Sequence, residues 1–271
     1  MKQKNPKYYL SLIRMGILEA MQYRLGIVIM IIGNLLYLIV VYFLWKAIFA
    51  SSITATVNGM TFTDTLIYLV LAAAIFNFME MYDIVWHIGN CIRSGKIVLE
   101  LLKPIQYKKY LFWFYSGRFV INFFLTFLPT FIIVIMLTKG EINIGVNLLF
   151  FMISILMAVF INYCIDFFVG TICFYTESIW GINIMKQVIV LLLSGATIPL
   201  AFFPDTLRNI AYYLPFQSIY NAPLSLLINK NMQTKEIIVT LATQFIWCVL
   251  ASVISNIFWK ISMKKITVNG G

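Results

Sequence analysis

The chain has 271 residues, of which 62% are apolar, 16% aromatic and only 11% charged, and its net charge at pH 7 is +10. A soluble domain carries about 25% charged residues, so this chain cannot cover a water-facing surface, and a soluble enzyme, a secreted disulfide scaffold and a disordered chain are excluded. Charge-free runs cover 25–45, 119–138, 142–165 and 237–259, and each is long enough to cross a hydrocarbon core of about 30 Å as a helix of about 20 residues. The runs are continuously apolar rather than alternating, which excludes a water-filled barrel. The expected class is all-α: a polytopic membrane protein with six transmembrane helices, an N-terminal interfacial helix, and outer re-entrant helices between spans 5 and 6.

Residues 1–24 carry Lys2, Lys4, Lys7, Arg14 and Arg24, with Leu10, Ile13, Ile17 and Met21 at helical spacing. This is the pattern of an interfacial helix with an apolar stripe against lipid and cations toward headgroups. The first span is expected over about 25–49. It is too long for the apolar region of a signal peptide, about 7 to 15 residues, and is read as a spanning helix. Tyr42 and Trp45 stand near its far end, where aromatic rings favour the interface, and Lys46 can snorkel there. Residues 50–61 lack Lys and Arg and read as an outer loop before a second span at 62–79.

The connection over 80–117, with Arg118 at its end, holds Arg93, Lys96, Lys103, Lys108 and Lys109 and is expected to lie in the cytoplasm. A third span at 118–138 meets a fourth at 145–175 through a loop with Lys139 and Glu141. After Glu177 and Lys186 come a fifth span at 185–203 and a sixth at 236–259, and the tail carries Lys260, Lys264 and Lys265. Between the last two, Pro199, Pro204, Pro215 and Pro223, with Asn209, Gln217 and Asn221 among them, interrupt the backbone ladder too often for a lipid-exposed spanning helix. Residues 204–235 are expected as an outer re-entrant segment. With six spans, 15 of the 20 basic residues fall on one side and both termini on that same side, which the positive-inside tendency makes cytoplasmic. Seven spans would place the basic tail outside. No repeat or low-complexity linker divides the chain, so residues 1–271 read as one membrane domain.

No catalytic constellation is visible. His87 is the only histidine and no CxxC pair occurs, so no metal pattern exists, and Cys91, Cys164, Cys173 and Cys248 read as small apolar residues. Cys164 and Cys173 are nine residues apart, on opposite faces of a helix. The stretch GNCIRSGK at 89–96 superficially resembles a phosphate loop. Five residues rather than four separate its glycines, however, and Ile97 stands where Ser or Thr should hold magnesium. Polar groups inside spans are functional candidates by default. Asn162 and Asp166 share one helical face, where either a translocation or proton role or plain interhelical bonding would account for them. Asn34, Asn77, Asn122 and Gln244 read as interhelical bonding groups.

Two longer segments carry more. In Ile92 to Gln106, IRSGKIVLELLKPIQ, a basic turn leads into an apolar helical stretch ended by Pro104; it could insert Ile97, Leu101 and Leu102 into a partner groove or rest at the headgroups. In Leu191 to Tyr220, LLLSGATIPLAFFPDTLRNIAYYLPFQSIY, small residues permit close packing before spaced prolines. At these residues the sequence resembles the permease subunits of ABC type 2 exporters, in their six-span branch. The pattern SG…LLxP is matched by Ser94, Gly95, Leu101, Leu102 and Pro104. The more specific pattern LSGxxxPLxxFPxxLxxIxxxLPF is matched by Leu193, Ser194, Gly195, Pro199, Leu200, Phe203, Pro204, Leu207, Ile210, Leu214, Pro215 and Phe216.

The resemblance implies a non-catalytic permease in the cell membrane of a bacterium, paired with a second permease, identical or paralogous, and with two separate cytoplasmic ATPase subunits. It places ATP and magnesium on those ATPases, gives this chain no cofactor, and calls for no nucleic acid. By position, the N-terminal helix and Arg93, Ser94, Gly95, Lys96, Leu101, Leu102 and Pro104 would contact the ATPases. Ser194, Gly195, Pro199, Phe203, Pro204, Pro215 and Phe216 would form an outer gate. The apolar, aromatic composition suits an amphiphilic or hydrophobic cargo such as a drug, peptide or lipid. Rival readings are a transporter or channel driven by an ion gradient, with Asp166 and Glu80 titrating, and a structural or assembly protein without cargo.

Overall fold

The structure, a computed structural model, describes residues 6–22, 24–52, 56–80, 84–138, 145–176, 178–229 and 232–265. Lys2, Lys4, Lys139, Glu141, Glu177 and Lys230, which enter the charge count above, lie outside the described residues, as does the side chain of Glu80. The elements in chain order are α1 (Pro6–Ala20), α2 (Arg24–Ala50), the two-residue strands β1 (Thr56–Val57) and β2 (Met60–Thr61), α3 (Phe62–Glu80), α4 (Ile84–Arg93), α5 (Ile97–Leu101) and α6 (Tyr107–Asn122). A π-helical turn, Phe123–Phe127, joins α6 to α7 (Leu128–Thr138), followed by α8 (Val146–Thr171) and α9 (Ile179–Leu193). The last third holds α10 (Asp205–Tyr213), α11 (Asn221–Ile228) and α12 (Thr234–Ser262), with single 3-10 turns at Leu200–Phe202 and Phe216–Ser218.

Among the described residues five helical stretches are long and apolar enough to cross a membrane: Ile31–Ala50, Phe62–Arg93, Tyr107–Thr138, Val146–Phe174 and Thr234–Lys265. α9 is a sixth, shorter apolar helix. An all-α polytopic membrane protein is therefore the architecture. The expected fifth span differs most from what forms: α9 starts at Ile179 and stops at Leu193, and 194–199 is a turn. Gly195 sits there at φ +83°, a left-handed conformation that glycine adopts without Cβ strain and that ends a helix.

α8 is the hub. It packs against α4, α11 and α12, and Phe151, Ile155, Ala158, Ile161, Cys164 and Phe167 are buried on it. Within 80–117, expected as a cytoplasmic connection, α4 packs into the bundle. Ile84, Val85 and Ile88 have no solvent exposure, and α4 lies on α8 so closely that a Cβ added at Gly170 would stand 2.9 Å from Ile88. Its polar residues are spaced so that one helical face stays apolar, a pattern that a charge count over the segment does not register. The helix that holds the expected third span, 118–138, starts earlier, at Tyr107, and runs through the π turn to Thr138.

The π turn in that helix has a local cause. Pro129 has no N–H and its ring would press on the carbonyl four residues back; immediately before it, Leu128 N–H bonds to Phe123 O, five residues back. The Thr126 hydroxyl donates to Asn122 O at 2.7 Å and the Thr130 hydroxyl to Thr126 O at 2.8 Å, which satisfies carbonyls near the irregularity. The loop at 50–61, expected as plain connection, contains a hairpin. Asn58 and Gly59 have φ of 48° and 79°, as a two-residue primed turn requires.

Candidate functional site

Three features on the chain carry polar chemistry: a mount at the basic end, a charged pair within the bundle, and a descending segment held by an amide.

At the basic end α1 packs through a face other than the stripe of large apolar residues expected for it. Leu12, Gly16 and Ala20 are its buried face, packed on α6, while Leu10 and Met21 are exposed. The crossing is set by a reciprocal glycine pair. A Cβ at Gly16 would stand 3.2 Å from the Phe114 carbonyl carbon, and one at Gly117 would stand 2.9 Å from the Ile13 carbonyl carbon, so only glycine lets the two backbones approach this closely. Beside it Arg118, which is buried, pairs with Glu19 and lies 4.9 Å from the Tyr115 ring centroid, within cation–π range.

The connection between α4 and α6 is equally organised. Ser94 donates to Asn90 O at 2.6 Å, and Gly95 turns the chain at φ +71°. Lys103 bonds Glu100 at 2.6 Å and stands 3.8 Å over the Tyr110 ring. Burial opposes the charge of Lys103, yet these two partners raise its pKa. Arg93, Lys96 and Pro104 stand nearby on the same connection. Ile97, proposed above for insertion into a partner, is turned inward at 3% exposure, since α5 must cover the end of the core. The apolar residues that project are Leu102 (76% exposed) and Leu99 (65%), with Leu101 half-buried. Leu99 is the residue that sequence reasoning missed; its signal was its place between two turn residues, opposite Ile97 on a single helical turn.

Asp166 and Lys186, on α8 and α9, form a buried ion pair at 3.0 Å, and Asn162 donates to the other carboxylate oxygen at 3.3 Å. Asn162 and Asp166 thus act together, but their charged partner lies 20 residues on and on another helix. A nearly apolar cavity of about 280 Å³ adjoins, bordered by Lys186, Cys164, Trp247, Pro215 and Phe216.

The expected gate residues divide into two groups. Ser194, Gly195 and Pro199 are buried under Tyr68, whose hydroxyl would stand 2.9 Å from a Cβ at Gly195. Phe203 is half-buried and Pro204 exposed, where the chain emerges into α10. Pro215 and Phe216 lie beyond it, where the chain descends beside α12. The Gln244 amide donates to Ser218 O at 2.8 Å and to Ser154 O at 3.3 Å, and Ser154 Oγ donates to Gln244 Oε1 at 2.7 Å. Gln244 is ten residues into α12, about 15 Å along its axis. Residues 216–218 therefore lie beside α12 about 15 Å along its axis, and α11, buried at Ala222, Pro223 and Leu224, returns against α8.

The family model for the ABC-2 family transporter proteins matches residues 10–270, nearly the whole chain. The chain belongs to the ABC-2 transporter family. No curated protein matches it. Membership makes this ABC-2 protein the membrane component of a transporter, a role generally without catalysis and generally fulfilled with ABC ATPase partners. A further feature of the ABC-2 protein is a cavity of about 260 Å³ between α2 and α3, bordered by Asn34, Tyr37, Phe76, Asn77 and Thr197. Asn34 and Asn77, read above as interhelical bonding groups, both border it.

Proposed function

We propose that this chain is the membrane-spanning permease of an ATP-driven exporter in a bacterial cell membrane, with both termini cytoplasmic. It forms the translocation path with a second permease and is coupled to two separate ATPase subunits that carry ATP and magnesium. The observation that carries the reading is the mount at the basic end. Arg93 and Lys96 flank a small exposed apolar tip, Leu99 and Leu102, on a connection braced by Glu100, Lys103 and Tyr110. Such a tip suits a groove on a soluble partner, and the α1–α6 crossing beside it can pass a displacement into a helix that runs through the bundle. A nucleotide bound by the partner shifts this equilibrium only if it favours one of the partner's states.

The cavity bordered by Asn34, Asn77, Tyr37 and Phe76 combines uncharged hydrogen-bonding groups with rings, which supports an amphiphilic cargo. The descending segment with Pro215 and Phe216 supports a re-entrant gate. A gradient-driven transporter would need Asp166 to load and release protons; its carboxylate is engaged by Lys186 and Asn162, and freeing it would strand a buried ammonium.

The test is reconstitution of the chain with the ATPase encoded beside it, followed by measurement of permease-dependent ATP turnover. Leu99→Glu with Leu102→Glu should abolish stimulation while leaving the folded permease intact. Flux that continues without ATP and stops when an ion gradient is dissipated would overturn the proposal.

A further inference from the structure

At the basic end of the bundle α1, α6, α8 and α12 enclose a cavity of about 430 Å³, bordered by Tyr9, Gln106, Lys109, Trp113, Phe160 and Asn256 among others. Its lining is graded along the membrane normal. α6 starts at Tyr107 and α12 ends at Ser262 at the same end of the bundle, as the stacking of Tyr107 on Trp259 at 5.3 Å shows. Gln106, which caps the start of α6, Lys109 on α6 and Asn256 on α12 are therefore at the rim. Trp113 is seven positions further along α6 than Gln106, about 10 Å deeper at 1.5 Å per residue, and Phe160 is one turn further from the basic end than Tyr163 on α8. Tyr9 of α1 closes the side, with its ring 5.2 Å from that of Trp113.

The polar rim is built for an anion. Lys108 directs its ammonium to α12, bonding Ser255 Oγ at 2.7 Å, Asn256 Oδ1 at 3.0 Å and Ser252 O at 3.3 Å. That bond fixes the Asn256 oxygen, which leaves its NH2 to donate elsewhere. Lys109 is exposed on the rim and has no carboxylate partner among the described residues. Among the described residues no acidic side chain borders the cavity, and Lys260 follows Asn256 by one helical turn.

We infer that this cavity is a binding site for an anionic phospholipid, with its headgroup phosphate at Lys109, Gln106 and Asn256 and its acyl chain against Trp113 and Phe160. A free phosphate would use the rim but has no use for the aromatic depth; an uncharged lipid would use the depth but leave Lys109 without a counter-ion. The cation cluster at this end of the bundle also meets the leaflet whose surface is anionic.

The experiment uses the full chain in vesicles of phosphatidylcholine with a minor fraction of phosphatidylglycerol, one or the other lipid brominated on its acyl chains, and reads tryptophan fluorescence. The difference between the wild type and Trp113→Phe isolates quenching at Trp113 from that at the other five tryptophans. Brominated phosphatidylglycerol should quench Trp113 more strongly than brominated phosphatidylcholine at equal fraction. Lys109→Gln, an exposed change that leaves the fold intact, should weaken that preference about fivefold. Excess inorganic phosphate at constant ionic strength should not reduce it. Equal quenching by both lipids, or a preference untouched by Lys109→Gln, would overturn the site. Competition by inorganic phosphate would reassign it to a soluble anion, and a Trp113 shielded from both brominated lipids would mean that protein covers the cavity.

Discussion

Adding one methyl group at Gly117 should loosen α1, although the same change elsewhere in a helix strengthens it. The new Cβ would overlap the Ile13 carbonyl oxygen and would stand 2.9 Å from its carbon and 3.0 Å from the Ile17 nitrogen. Non-bonded atoms settle at about 3.5–4.0 Å, so the two helices must part by at least about 0.6 Å. A gap of that size forfeits about a quarter to a half of each dispersion contact along the seam, and backbone cannot rotate away as a side chain could. Overpacking of this kind costs about 1–3 kcal/mol, against about 1 kcal/mol gained by replacing glycine in a helix. The net expectation for Gly117→Ala is a loss of about 1 kcal/mol, and Gly16→Ala should behave alike because its clash is the mirror of this one. Gly33, in α2, has nothing within 4 Å of its added Cβ, so Gly33→Ala should gain about 1 kcal/mol. Hydrogen exchange over residues 6–20, with thermal unfolding in one detergent, reads both effects. The α1 amides should exchange about fivefold faster in Gly117→Ala and at the wild-type rate in Gly33→Ala. If Gly117→Ala protects α1 as well as the wild type and is stabilised as Gly33→Ala is, the close crossing does not hold α1.

The buried pair and the amide node give two more expectations. Lys186→Met alone should cost about 3–5 kcal/mol, because it leaves the Asp166 carboxylate in the bundle without its ammonium, whereas Asp166→Leu combined with Lys186→Met should be close to neutral; a double-mutant cycle on unfolding measures the coupling, and additive losses would refute it. Gln244→Leu removes three hydrogen bonds from the Ser154–Gln244–Ser218 node. At about 0.6 kcal/mol for each such bond in a membrane protein it should lose about 2 kcal/mol and raise hydrogen exchange over 214–218, and unchanged exchange there would show that the segment is held by other contacts.

What the sequence makes legible depends on whether the signal lies in one helix. α2, α8 and α12 follow from unbroken apolar runs, because length and hydropathy are properties of the segment alone. The face of α1 does not. A scan for large apolar residues finds Leu10, Ile13, Ile17 and Met21, while the packed seam runs through Leu12, Gly16 and Ala20, whose small residues matter for what they leave empty. Asp166 and Asn162 can be picked out as polar residues in a span, but Lys186 is connected to them only by the packing of α9. Asn34 and Asn77 meet in one cavity for the same reason. The primed turn at Asn58-Gly59 was available in the sequence, since that dipeptide is a strong hairpin signal, yet two-residue strands carry too little alternation to announce themselves.

A permease driven from one end, as proposed above, would have to move as a whole, and the stiff and soft points of this chain are distributed to suit that. The glycine crossing and the Glu19–Arg118 pair make α1 and α6 one body, so a push on either is delivered to both. That body continues to the opposite face only through Phe123–Phe127, where the π turn replaces the regular hydrogen-bond register. Phe123, Phe127 and Phe131 stack one above another there, at 5.1 and 5.7 Å, and Phe151 of α8 stacks on Phe127 at 5.4 Å. Ring stacks tolerate sliding better than interlocked branched side chains, because offset geometries lie close in energy. The helix can therefore bend at the π turn without losing its contact with α8, whereas residues 216–218, pinned by Gln244 to both α8 and α12, must follow those two helices. Under the proposed function a displacement at the basic end would pass along α6 and through the π turn, and the amide node would set how much of it residues 216–218 feel.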